Sequence, residues 1–146
     1  MSQNPPRELP QVFFLLFRLH QQIRDQLALT LSASQLTMAQ YTTLSLLRGE
    51  KLVTVADLAR TLPISAQSLG ETIKILDEKG FVQKRRLPTD SKRKYIALTE
   101  AGRATLSETD ALVVEAEQAF LSTLDPQQAP LFVASLRNLH KAQQGG

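Results

Sequence analysis

The sequence has no cysteine and no tryptophan, and only two of its 146 residues, His20 and His140, are histidine. Without cysteine the chain forms no disulfide, no thiolate nucleophile and no cysteine-ligated zinc site. The two histidines lie far apart, so a metal site would have to be built from carboxylates, and we expect none. Because the sequence also has no recognised serine-nucleophile turn, no glycine-rich phosphate loop and no paired carboxylate motif, we expect neither an enzyme nor a cofactor.

Long apolar runs are also missing. The longest, Val12–Phe17, has six residues, far fewer than the roughly 18 needed to cross a bilayer. Arg18 and His20 follow closely and no small-residue cleavage pattern comes after them, which argues against a secretory signal. We therefore expect one cytoplasmic domain that does not bind a membrane, since 146 residues suffice for a single core.

The net charge of +3 conceals a local concentration of positive charge. Residues 83–94 contain six cations and one anion, a net +5, which leaves −2 for the rest of the chain. A local basic patch is typical of a surface that binds a polyanion, although a solvated charged hairpin has the same composition. The six cations are Lys84, Arg85, Arg86, Lys92, Arg93 and Lys94.

Long helices are predicted at both ends of the chain, at about residues 8–30 and 100–143. In the second region we expect Thr99 to cap one helix and Asp125-Pro126 to begin another. The first half of the N-terminal helix is apolar on nearly every side, so it is either buried all round or shared between two chains.

The central region, about residues 36–99, begins with another predicted helix. Thr37 and Gln40 have the spacing of a capping box, and the helix is expected to end near Arg48-Gly49. A very short strand at Leu52-Val53 follows.

Two further helices and a hairpin complete this region. Thr54 is expected to cap a short helix that breaks at Pro63, and Ser65 to cap a second helix that ends at Gly80. Residues 81–86 and 92–98 alternate as two strands joined by turn-forming residues. The fold class we predict is mainly α with a small β hairpin, a winged helix-turn-helix between long terminal helices.

This order of elements suits DNA binding. The second helix of a helix-turn-helix presents its N-terminal side chains to base edges, and small polar residues there permit close approach. The candidate contacts on this helix are Ser65, Ala66, Gln67, Ser68, Glu71 and Lys74. The six cations of the hairpin can lie along phosphates or enter the minor groove. Asp90 is either a turn former or the partner that holds a neighbouring cation extended.

The same residues resemble the MarR family of bacterial transcription regulators. The resemblance is carried by LTMAQYTTLSLL (36–47), TVADLARTLPISAQSLGETIKILDEKGFVQKRR (54–86) and PTDSKRKYIALTEAG (88–102). It implies a homodimer with interlocked terminal helices, whose two winged modules read a palindromic site on double-stranded DNA. It also implies a repressor, less often an activator, that small phenolic or lipophilic molecules release from DNA.

Two positions depart from the family pattern. The usual wing has Asp, any residue, then Arg, whereas this chain has Asp90-Ser91-Lys92 with Arg93 one place later. Lysine keeps the charge but loses the planar fork of arginine, so either Lys92 or Arg93 is the residue that probes the minor groove. Glu71 stands where the family often has arginine; it repels phosphate but can accept from a cytosine amino group.

For an effector, the resemblance points to the cleft between the terminal helices and the winged module. The residues expected there are Phe17, Arg18, His20 and Tyr41. Aromatic residues at helical spacing are more often core than pocket, so a purely structural role for them is the alternative. A helical interaction protein that carries a basic loop incidentally is the alternative to a DNA-binding regulator.

Overall fold

The computed structural model describes residues 10–49 and 52–145. These residues form six helices and one three-stranded antiparallel sheet, which confirms the predicted fold class. In chain order the elements are α1 (Val12–Ser32), α2 (Met38–Leu46), β1 (Val53–Thr54), α3 (Val55–Thr61), α4 (Ala66–Glu78), β2 (Val82–Leu87), β3 (Asp90–Leu98), α5 (Glu100–Leu121) and α6 (Gln128–Gln144).

Side-chain caps determine where α2 and α3 begin, as the sequence predicted. The Thr37 hydroxyl accepts from the Gln40 amide at 3.2 Å, and the Gln40 side chain accepts from the Thr37 amide at 3.1 Å. Thr54 and Asp57 form the same reciprocal pair at the start of α3. Each box satisfies two backbone donors that a helix start leaves without intrahelical partners.

The other two predicted caps are also present. Ser65 accepts from the Ser68 amide at 3.1 Å at the start of α4, and Thr99 accepts from the Gly102 amide at 3.0 Å at the start of α5. Gly80 ends the turn after α4 with φ +76°, a left-handed conformation that glycine adopts without a Cβ clash.

The sheet has the order β1-β3-β2, with Val53 opposite Ile96 and Val82 opposite Leu98. Strand β2 has the predicted length but lies one residue later, and β3 is two residues longer than predicted, because only Pro88 and Thr89 form the turn and Asp90 already pairs with Leu87. The short β1 lies one residue later than expected.

Three predicted helix ends were wrong by a few residues. Helix α2 ends at Leu46 because the amides of Leu47 and Arg48 bond to the carbonyls three residues back, which tightens the last turn. Helix α1 continues to Ser32; its predicted start at residue 8 lies outside the described residues. Helix α6 begins only at Gln128, because the Asp125 carboxylate accepts from the amide two residues on, at 2.9 Å, and forms a local turn.

One apolar core lies inside the winged module, between α2, α3, α4 and the sheet. Its buried members are Leu36, Leu44, Leu47, Leu58, Leu62, Leu69, Ile73, Leu76, Val82, Ile96, Leu98 and Leu106. Of the terminal helices, α5 contributes Leu106 to this core, whereas α1 has Leu31 as its buried residue and no residue of α6 is buried. Within the described ranges no helix is long and apolar enough to span a bilayer.

The first turn of α5 packs directly on the chain that leads from α4 into β2. The Thr99 hydroxyl donates to the Gly80 carbonyl, and the Thr99 amide donates to the Phe81 carbonyl at 3.1 Å. Gly102 is buried against the same backbone, and a Cβ at this position would overlap the Phe81 carbonyl. The glycine of the LTEAG segment is therefore required by close approach of two backbones.

Candidate nucleic-acid interface

The N-terminal half of α4 presents a small, polar and exposed surface. Leu69, Ile73 and Leu76 face the core at helical spacing together with the buried Thr72, and the other residues between them are exposed. Every residue predicted from the sequence to contact bases on this helix is exposed, namely Ser65, Ala66, Gln67, Ser68, Glu71 and Lys74. The structure thus brings these six side chains to one accessible face.

The capping bonds leave one donor on this face unused. The Ser65 hydroxyl donates to the Ser68 hydroxyl at 2.9 Å and accepts from the Ser68 amide. Ser68 therefore keeps its own hydroxyl proton, which can be given to a base or a phosphate. Gly70 is exposed on the same helix, and a Cβ built there would meet no atom within 4 Å beyond its chain neighbours and the backbone of its own helix. The helix backbone is consequently open to close approach at this point.

The hairpin carries its six predicted cations on the surface, because Lys84, Arg85, Arg86, Lys92, Arg93 and Lys94 are all exposed. The Arg86 guanidinium donates to the Ser91 carbonyl at 3.0 Å across the hairpin. The Asp90 carboxylate lies 3.3 Å from Arg93 Nε. Of the two roles considered for Asp90, holding a neighbouring cation is therefore observed, and that cation is Arg93. Within the described part of the chain, Lys92 has no carboxylate partner.

A polar groove of about 400 Å³ separates the start of α3 from β3. Asp57 lies in it, bonded to the Thr54 amide and hydroxyl and paired with Arg60. The bonds from Thr54 lower the pKa of Asp57, assisted by the charges of Arg60 and Arg93. Arg60 adds a fourth cation to the groove beside residues 92–94. Arg60 was not among the residues predicted from the sequence; the signal available was its position in the last turn of the first helix of the predicted helix-turn-helix.

A second polar cluster joins the winged module to α5. The Tyr41 hydroxyl donates to Asp110 Oδ1 at 2.7 Å, and Arg48 donates to both carboxylate oxygens of Asp110 at 2.7 and 2.9 Å. Burial raises the pKa of Tyr41, and the hydrogen bond to Asp110 and its charge raise it further. The cluster ties α2 to α5 through residues 69 and 62 positions apart.

The other side of Tyr41 faces an apolar cavity of about 470 Å³ between α1, α2, α5 and α6. It is lined by Ile23, Gln26, Leu27, Tyr41, Val113, Ala116, Glu117, Phe120, Leu121, Phe132, Val133 and Leu136. Of the four residues expected at an effector site, Tyr41 lines this cavity, whereas Phe17, Arg18 and His20 are exposed on α1 and do not. The Arg18 guanidinium instead lies 6.0 Å from the centre of the Phe14 ring.

The remaining lining residues could not be assigned to a cavity from the sequence. Phe120 follows Val113 at heptad spacing, which indicates only that both share one face of a helix. Which other helices pack against that face depends on the tertiary fold.

Comparison with known proteins agrees with this geometry. A family model described as the MarR family matches residues 34–93. The transcriptional repressor Rv2887 of Mycobacterium tuberculosis is 25% identical over 126 residues, which is 86% of this chain and 91% of that protein. Its structure in complex with salicylic acid superimposes with a TM-score of 0.76 at 25% identity, over 91% of this chain and 98% of that one.

Two further solved structures have the same fold at a similar level of sequence identity. Wild-type MarR from Escherichia coli in its apo form gives a TM-score of 0.75 at 25% identity over 92% of this chain and 98% of that one. BpsR from Bordetella bronchiseptica, whose DNA binding is regulated by 6-hydroxynicotinic acid, gives a TM-score of 0.76 at 25% identity over 94% of this chain and 98% of that one. In its winged helix-turn-helix and in its sequence over residues 34–93, the chain is therefore similar to the MarR family of transcriptional regulators, which are not enzymes.

Proposed function

We propose that this protein is a homodimeric repressor that binds a palindromic DNA operator and leaves it when a small phenolic or lipophilic molecule binds. The observation that carries the proposal is the exposure, in one winged module, of the polar N-terminal face of α4 and of all six wing cations. A solvated charged hairpin would explain the wing alone, but it would not explain the small, polar and open N-terminal face of α4.

In the proposed complex α4 enters the major groove. Gln67 makes a bidentate contact to adenine, Ser68 donates its free hydroxyl proton to a base or phosphate, and Glu71 accepts from a cytosine amino group. Lys74, further along the same exposed face, reaches a phosphate. The acidic Glu71 makes the preferred sequence differ from that of relatives with arginine there.

The wing lies over the adjacent minor groove. Asp90 orients the Arg93 guanidinium by their 3.3 Å contact, so we assign Arg93 to the minor groove and Lys92 to a phosphate. The other basic residues of the hairpin follow the phosphate backbone.

The exposed apolar surface of the terminal helices is an argument for a second copy of the chain. Six consecutive apolar residues of α1, Val12–Phe17, are each 40–85% exposed, and Leu131 and Leu139 of α6 are 69% and 55% exposed. Monomeric proteins rarely expose so large a contiguous apolar patch, because water contact with it is unfavourable. A partner copy that contributes the same helices would cover it.

The total surface supports the same conclusion. The accessible area of 11383 Å² compares with about 7,500 Å² expected for a compact monomer of 16.2 kDa. If the twelve residues outside the described ranges are all given the area of unfolded chain, about 1,900 Å², an excess of about 2,000 Å² remains. An obligate dimer covers about 1,000–2,500 Å² on each partner.

The cavity beside Tyr41 is the proposed effector site. Its volume of about 470 Å³ lies in the range of small-molecule sites, roughly 300–1,000 Å³. The Tyr41 hydroxyl is bound to Asp110 of α5, so a ligand that moves the Tyr41 ring changes the contact between the winged module and α5. Phe17, Arg18 and His20 are proposed to approach the ligand from the partner's α1.

The test combines DNA binding with assembly state. Duplexes from the DNA upstream of the gene are titrated with protein at 50 mM salt, and bound sequences are footprinted. The proposal expects a dimer in sedimentation and two protected half-sites, related by a dyad, about 34 Å apart. If neither upstream nor random duplex binds at this salt, the regulator proposal is wrong and the helical interaction protein is favoured. A monomer with a single protected half-site would refute the dimer.

A further inference from the structure

The lining of the cavity beside Tyr41 has an unusual distribution of charge. Nine of its twelve residues are apolar, and the polar ones are Gln26, Tyr41 and Glu117. The Tyr41 hydroxyl already donates to Asp110. The lining contains no lysine, arginine or histidine, so its single charged group is the Glu117 carboxylate, at the exposed rim on α5.

This chemistry disfavours acidic ligands. A carboxylate drawn into an apolar cavity loses its hydration and is accommodated only if a cation or several donors replace it. Because the Tyr41 hydroxyl is already bonded to Asp110, the side-chain amide of Gln26 is the hydrogen-bond donor that this lining can offer to a ligand. The carboxylate of Glu117 at the rim would repel an acid. The ligands named for two relatives, salicylic acid for Rv2887 and 6-hydroxynicotinic acid for BpsR, are both acids.

The same lining suits a positively charged ligand. Glu117 attracts a cation, and the rings of Phe120 and Phe132 in the same wall can accept one on their faces. The nine apolar residues bury the hydrocarbon part of the ligand.

We propose that this cavity binds lipophilic organic cations rather than aromatic acids, with Glu117 as the counter-charge. The inference rests on the proposed effector function and specifies the chemical class of its ligand. A second copy of the chain, whose apolar helix could also fill the cavity, is the competing occupant.

Tetraphenylphosphonium and tetraphenylborate test this directly, because they have nearly the same shape and opposite charge. Their binding to the full-length protein, without DNA, is measured by isothermal titration calorimetry, with salicylate as a third ligand. We expect the phosphonium to bind at least about tenfold more tightly than the borate, and salicylate to bind weakly or not at all.

Three variants assign the preference to one residue. Glu117→Gln should weaken phosphonium binding about two- to fivefold, as for an exposed ion pair, because the aromatic rings remain in place. Glu117→Lys should reverse the preference toward the borate. Glu115→Gln removes the same charge from an exposed position of α5 outside the cavity lining and should change nothing. Circular dichroism verifies that each variant is folded.

Equal binding of the two ions, tighter binding of salicylate, or an unchanged phosphonium affinity in Glu117→Gln would each overturn the inference. Failure of both ions to bind would also overturn it and would favour the second copy as occupant. Because DNA is absent from the titration, the effector function is judged separately. If the phosphonium binds through Glu117 but leaves operator affinity unchanged, the ligand class stands and the effector function fails.

Discussion

Exchanging Arg85 and Arg93 for alanine removes two of the six exposed wing cations from each protomer and four from a dimer. Each phosphate that a cation neutralises contributes about 0.9 to the slope of log affinity against log salt. If each of the four cations neutralises one phosphate charge, Arg85 along the backbone and Arg93 between the phosphates that flank the minor groove, the slope of the variant is shallower by about 3.6. Raising salt from 50 to 200 mM then weakens wild-type binding about 150-fold more than binding by the variant.

Fluorescence anisotropy with a labelled upstream duplex at 50, 100 and 200 mM salt measures this slope. The control is the double variant Arg24→Ala, Arg137→Ala, which removes the same charge from exposed positions of α1 and α6, far along the chain from the wing. Sedimentation first verifies that both variants keep the wild-type assembly state. An unchanged slope in the wing variant, or equal flattening in the control, would refute the assignment of the wing to DNA.

Three further predictions concern single substitutions. Gly70→Ala should raise the free energy of unfolding by about 1 kcal/mol, because glycine is unfavourable inside a helix and a Cβ there is unobstructed. The same substitution should weaken operator binding. Unchanged binding would mean that DNA does not approach this point. Gly102→Ala should lower the free energy of unfolding by about 1–3 kcal/mol in urea titrations, since its Cβ overlaps the Phe81 carbonyl; a loss below about 0.5 kcal/mol would show that the two backbones separate easily. Tyr41→Phe should cost about 1 kcal/mol at pH 7 through the lost bond to Asp110. The pKa of Tyr41 is raised above its usual 10.0, so its contribution to the free energy of unfolding is complete below pH 10 and is lost as the pH rises through the folded pKa. The free energies of unfolding of wild type and variant should therefore converge at high pH. A difference between them that stays constant up to pH 11.5 would contradict this expectation.

Features set by neighbouring residues could be predicted from the sequence. The caps at Thr37, Thr54, Ser65 and Thr99 depend on partners three residues away, and the turn at Gly80 needs a single residue that tolerates positive φ. The helix-turn-helix and the basic hairpin followed from these signals and from the alternation of apolar residues.

Features that depend on residues distant in the sequence could not be predicted in this way. The bond from Tyr41 to Asp110 joins positions 69 apart, and four helices share the cavity wall. The pairing of Asp90 with Arg93 was one of two alternatives, because the spacing did not reveal how tightly the hairpin turns. Gly102 was part of a recognised segment, but the reason for a glycine emerged only from the Phe81 backbone beside it.

The packing of α5 on residues 80 and 81 has a mechanical consequence. Helix α4 ends there, the hairpin of β2 and β3 begins there, and α5 starts there, so the three are fixed to one corner. With 22 residues, α5 is about 33 Å long. If α5 moves as a rigid body, a pivot of about 5° at its far end displaces its first turn by about 3 Å. Helix α4 and the hairpin would move with it, so in the proposed DNA complex a small rotation of α5 would shift both relative to the grooves they occupy.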